Sequence, residues 1–316
     1  MSQLIQLRQK IKAIKNTQKI THAVRLVSMS LYAKLEKKHI ALRYYMQNIK
    51  KLFAQTIVQV PKWKNPLLFP DDICDKNPLF VIVSTSKGLC GSLNQNLFHY
   101  IDQSLTIDPK QTPHFITIGK KAINFLQPKY PDNILCNYTE LNSNNYTIIA
   151  SDLIDKIMLG PIKFSSVTFY SSQLKNTFFV QMPKKSTLIP FVYDELEEKL
   201  DKNEKASKTT QISTKAENED IKDLQTPTSE LKNTDLIWEQ DFVETLDYLA
   251  TCYVKEFITN LLYQGLLAEQ AARFIAMDGS TTNANKYLEK LTLIYNKQRQ
   301  ALITREVSEL SAASAK

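Results

Sequence analysis

A chain of 316 residues, 43 % of them hydrophobic, has the material for a real core, while 6 Gly and 12 Pro are too few for a loop-rich all-β protein. No apolar run approaches the ~20 residues that span a bilayer. Four scattered Cys and four His without ligand spacing exclude a disulfide framework and a protein-built metal site, and the cysteines read as small buried hydrophobes. The net charge of +8 is uneven: residues 1–60 hold twelve basic side chains against one acid, Glu36, so this end should face something acidic.

All twelve prolines lie between Pro61 and Pro227, leaving proline-free ends of 60 and 89 residues. A proline costs a helix interior about 3 kcal/mol, so these ends read as two long helices that hide their apolar stripes on each other. In the first arm, 1–60, Leu4, Leu7, Ile11 and Ile14 step by three and four like a coiled-coil seam. The pattern breaks at Asn16-Thr17-Gln18-Lys19 and resumes at Ile20, Val24, Val27, Leu31 and Leu35, which predicts a phase slip that re-aims the stripe.

Residues 61–193 alternate short β-rich runs with helical patterns. Strands are predicted at 79–84, 114–118, 134–138, 167–172 and 178–182, and helices at 91–101, 120–126 and 148–159. Alternation of this kind implies βαβ units and a mostly parallel sheet, closed by a hairpin around Gln173–Asn176. The segment 194–233 is polar, carries a net −4, and has no aromatic residue from 197 onward; it reads as a disordered insertion. The second arm, 234–316, starts near Thr234 or Asp235, either of which can cap a helix. Its stripe runs Val243, Leu246, Leu249, Tyr253, Phe257, Leu261, Leu267, Ala271 and Ile275, then Leu288, Leu291, Tyr295, Leu302 and Val307. Met277–Asn283, with Gly279 and several Ser/Thr/Asn, is its weakest helical stretch. Antiparallel pairing places Leu7 opposite Ile303 or Val307. The expected fold is therefore α/β: a long antiparallel coiled coil of the two terminal helices plus a central, Rossmann-like domain.

Chemistry-bearing motifs are sparse. Thr85-Ser86-Lys87-Gly88-Leu89-Cys90-Gly91-Ser92 joins a strand to a helix, but its spacing fits neither phosphate-binding fingerprint; its two glycines read as permitting a tight turn. No acid/base pair or nucleophile constellation stands out. The basic first arm leaves a coiled-coil nucleic-acid binder as an alternative, with Tyr32, Tyr44 and Tyr45 as thin support for base stacking.

Three stretches carry a resemblance. Ile14-Lys15-Asn16-Thr17-Gln18-Lys19-Ile20-Thr21 with Leu26-Val27-Ser28, Gly88-Leu89-Cys90-Gly91 with Asn94, and Glu269-Gln270-Ala271-Ala272-Arg273 followed by Tyr295-Asn296-Lys297 and Arg299-Gln300-Ala301 together resemble the gamma subunit of F-type ATP synthases. The resemblance implies a non-catalytic shaft without cofactor. Proton or sodium flow through a membrane c-ring would turn it inside a hexamer of three alpha and three beta subunits, with the central domain at the foot beside epsilon. It implies a peripheral place on the cytoplasmic side of a bacterial plasma membrane, and nucleotides bound elsewhere, on alpha and beta. Lys15, Lys19, Arg25, Arg273, Arg299, Gln300 and Thr304 are the rotor–stator contact candidates that follow from it.

Overall fold

The computed structural model describes residues 2–57, 63, 65, 77–105, 111–158, 160, 162–175, 178–190 and 241–314. The insertion 194–233, Cys74 and the predicted starts of the second arm at Thr234 and Asp235 lie outside these residues. Two helices dominate: α1 (Ser2–Ile57, 56 residues) and α5 (Phe242–Ser314, 73 residues), about 85 and 110 Å long at 1.5 Å per residue. They run antiparallel, as predicted. Asp241 closes the described start of α5, its carbonyl accepting from the amide and hydroxyl of Thr245.

Between them come β1 (Pro78–Val83), α2 (Leu93–Ser104), β2 (His114–Ile118), α3 (Lys120–Leu126), β3 (Ile134–Tyr138), α4 (Tyr146–Met158), β4 (Ser166–Leu174) and β5 (Gln181–Ile189). The sheet order is β3-β2-β1-β4-β5, with β5 alone antiparallel. This is the βαβ arrangement with a closing hairpin that the sequence alternation predicts. Only the last strand is misplaced: Phe178 and Phe179 lie in the hairpin turn, not in β5.

The faces of β1 explain the layering. Leu79, Val81 and Val83 point to one side, Phe80 and Ile82 to the other, and all five are buried. The second face is covered by α2 and α3 through Leu97, Ile101, Ala122 and Leu126. The first face is covered by α4 and by α5 itself, through Ile258, Leu261, Leu262 and Leu266. The two arms and the middle domain thus share one core. From Ile258 to Ala272 almost every position of α5 is enclosed, because α1 lies on one side and the sheet on the other. Gly265 permits the approach: a Cβ there would stand 3.2 Å from Val83 Cγ1.

The predicted phase slip in α1 does not occur. Its enclosed positions run Leu4, Leu7, Ile11, Ile14, Gln18, Thr21, Arg25, Ser28, Tyr32 and Leu35, and on to Phe53, in one unbroken alternation of three and four. Apolar character lapses for two heptads while the phase holds. Ile20, Val27 and Leu31, expected in the seam, are 62 %, 58 % and 43 % exposed. Val243 and Val307 are likewise exposed on α5. The weak stretch Met277–Asn283 is continuous helix. Of the described cysteines only Cys90 is buried; Cys136 and Cys252 are half-buried.

Candidate functional site

Among the described residues, two groups of polar contacts that join the parts of the molecule involve the family motifs. The first is the polar part of the seam, which starts just beyond the point where Ala276 of α5 approaches Gly91. Gln18 Nε2 donates to Asn285 Oδ1 (2.6 Å), the hydroxyls of Thr21 and Thr281 meet at 2.9 Å, and Arg25 Nη1 donates to Asp278 Oδ1 (2.5 Å). Each layer pairs one polar residue from each arm, so a slide of either helix by a turn would separate all three pairs. Paired polar seam residues set register in this way at some cost in stability. Carried toward the chain's start, the register sets Leu7 across from the Tyr295 turn. Ile303 and Val307, the expected partners of Leu7, are exposed on the last turns of α5, which run past the start of α1.

The second place is the joint between the foot domain and α5. After β1 the chain turns through Thr85–Gly91 into α2. Asn94, the second residue of that helix, braces the loop: its Oδ1 accepts from the Thr85 amide and its Nδ2 donates to Thr85 Oγ1, which donates to Lys87 O. Gly91 takes φ +57, but the other left-handed residue is Leu89 at φ +66, not Gly88. A non-glycine residue there costs about 1 kcal/mol. The turn brings Gly88 O and Cys90 Sγ onto Arg273 of α5, at 3.4 Å from Nε and 3.2 Å from Nη2. The same Nη2 binds Glu269 Oε1, one helical turn back, and Nη1 binds Gln270 Oε1. Glu269 and Arg273 are both buried. Burial raises the Glu269 carboxyl above its ordinary range, with Arg273 pulling the other way. Burial likewise pushes the Cys90 thiol up to about 11, against the pull of Arg273. The sulfur is thus a protonated packing group at neutral pH, not a nucleophile.

The hairpin makes a third contact. The Phe178 ring sits edge-on to Tyr32 of α1 (4.6 Å between centroids) and to Phe274 of α5 (5.3 Å), and so touches both arms.

The residues named as rotor–stator candidates do not form one cluster. Lys15, Lys19, Arg299, Gln300 and Thr304 are exposed toward the free end of the shaft. Arg25 is half-buried and tied to Asp278. Arg273 is turned inward onto the foot domain, so its guanidinium is not presented to a partner. Sequence reasoning missed Glu269 and Phe178 as contact residues. Glu269 lies within a family motif whose individual contacts no local pattern announces, and Phe178 is by residue type a strand former.

Against known proteins, the ATP synthase family model matches residues 3–315. The chain belongs to the ATP synthase gamma-chain family. The ATP synthase gamma chain of Francisella tularensis subsp. mediasiatica is 30 % identical over 325 residues, spanning 100 % of this chain and 99 % of the relative. That of Francisella philomiragia is 29 % identical over 323 residues, with the same coverage. Among solved structures, the rotor of the Euglena gracilis mitochondrial ATP synthase superposes with a TM-score of 0.57 at 17 % identity, covering 96 % of this chain and 99 % of that one. A second rotational state of that enzyme, solved with F1 and c-ring, gives 0.59 at 17 %, covering 99 % and 94 %. At such identity these two establish the fold alone. A gamma-family chain is a non-catalytic subunit, and membership leaves the nucleic-acid reading without support.

Proposed function

We propose that this chain is the central shaft of an ion-driven ATP synthase, turned at its foot by a c-ring and forcing conformational change at catalytic sites on surrounding beta subunits. The observation that carries this reading is the family match over residues 3–315 of a chain built as two antiparallel arms with one end free. Among the described residues no helix is long and apolar enough to cross a membrane, so attachment runs through partners: the c-ring and epsilon at the foot, and three alpha and three beta subunits around the arms. The cytoplasmic face of a bacterial plasma membrane fits the bacterial relatives.

The outer surface of the free end supports a sliding contact. Exposed Lys15 and Lys19 flank the exposed Ile20 and Val27 on α1, and Arg299, Gln300 and Thr304 are exposed on α5. Exposed charges attract acidic loops over a Debye length of roughly 10 Å without locking to one of them. Replacing Arg299 or Gln300 with Ala in the assembled complex lowers ATP synthesis while nucleotide binding to beta survives. The purified chain hydrolyses no ATP; hydrolysis by the chain alone, lost on Lys87→Ala, overturns the reading.

A further inference from the structure

We propose that Arg273, steered by Glu269, is a positioning residue that locks the Thr85–Gly91 loop to α5, so that rotation passes between the foot domain and the shaft without slip. The inference rests on the shaft reading above and adds where the load is carried.

Most of the contact between sheet and α5 is apolar and is carried by β4: Val167 and Phe169 share a core with Ile258, Leu262 and Leu266, and the Phe169 ring meets that of Phe257. Apolar burial is non-directional, so it resists separation more than twist. Arg273 supplies the direction. Its planar fork spends Nε and Nη2 on the loop and Nη1 and Nη2 on its own helix, which fixes the guanidinium plane relative to the axis of α5.

The loop on the other side of the bond is stiff. Asn94 clamps Thr85 from below, and Leu89 is held at φ +66 although its side chain is 61 % exposed. Packing of that side chain therefore does not hold the backbone. The bonds to Gly88 and Cys90 on either side of it do. A single peg leaves a pivot, and Phe178 removes it by wedging between Tyr32 and Phe274, one residue along from Arg273. Peg and wedge grip the shaft at one level from two elements of the foot domain.

The test uses the complete synthase in liposomes, with ATP hydrolysis and ATP-driven ion pumping read in the same vesicles. The informative variant is the double substitution Glu269→Leu with Arg273→Met, since apolar residues of similar volume replace a buried ion pair with little loss of fold stability. Pumping per ATP hydrolysed falls severalfold while hydrolysis persists. In the purified full-length chain, the backbone amides of the Thr85–Gly91 loop exchange with deuterated water faster than in the parent, read by mass spectrometry. Arg273→Lys, which keeps the charge without the fork, recovers the pumping ratio only in part. A double variant that pumps at the parental ratio overturns the proposal, as does unchanged exchange of the loop amides. Failure of the shaft reading looks different: vesicles lacking this chain altogether would still pump at the parental ratio.

Discussion

The two halves of the coiled coil are built from different materials. Beside the foot domain, Tyr32, Leu35, Met46, Ile49 and Phe53 of α1 are buried against α5, and Phe53 meets the rings of Trp63 and Tyr253. Farther along, the seam passes through Gln18–Asn285, Thr21–Thr281 and Arg25–Asp278 before the half-buried Leu4, Leu7, Ile11 and Ile14 take it up again toward the free end. The foot half draws its stability from packing, which tolerates sliding. The polar stretch draws alignment from paired side chains, which do not tolerate sliding but add little free energy. A shaft made this way is anchored at one end and kept in register, without great stiffness of attachment, at the other.

The largest break in that contrast comes from Phe53→Ala, which costs about 3–5 kcal/mol as a large-to-small change at a wholly buried ring. It is read as a drop in the denaturant midpoint of the purified chain; a loss under about 1 kcal/mol would show that the foot half is not held by packing. A smaller effect depends on pH. His39 lies against the Tyr263 ring with Nε2 buried and unpartnered, and burial followed by the charge of Arg43 lowers its pKa from the ordinary 6.5. The unfolded chain therefore binds the proton first, so stability is lost as pH falls below 6.5 toward the folded value. His39→Gln flattens that slope; an unchanged pH profile would remove His39 from the account.

Glycine substitutions sharpen the comparison. Gly279, in the free half, has nothing within 4 Å of where a Cβ would stand, so Gly279→Ala stabilises by about 0.5–1 kcal/mol from helix propensity alone. Gly265, against Val83, shows no such gain, because the stiff valine must yield. Equal thermal shifts at the two sites would contradict the close packing of α5 on β1. The smallest effect is the Arg25–Asp278 coupling. With side chains 28 % and 47 % exposed, a double-mutant cycle gives under about 1 kcal/mol, falling further with salt.

Much of the foot domain was legible in the sequence because its signals are local. Strand β2, helix α3 and strand β3 begin and end where residue type predicts, since Gly119 and Pro131 punctuate them. Strand β5 starts later than residue type predicts, because Phe178 and Phe179 are good strand formers in isolation. Only the nearness of Tyr32 and Phe274 turns Phe178 into a wedge. The seam is hidden for a related reason: Ile20, Val27 and Leu31 carry the apolar signal, while Gln18, Thr21 and Arg25 occupy the seam by virtue of Asn285, Thr281 and Asp278, far along the chain.

The sequence by itself determined two long arms, an alternating α/β middle and the family, because proline placement, period-two and period-3.5 patterns and short motifs are written in neighbouring residues. Only the tertiary structure decided that α5 closes one face of the sheet, that the seam keeps its phase through a polar stretch, and that Arg273 faces inward onto Gly88 and Cys90. Each of those depends on which group a side chain finds across space, and a buried charge or polar pair is stable only where its partner stands.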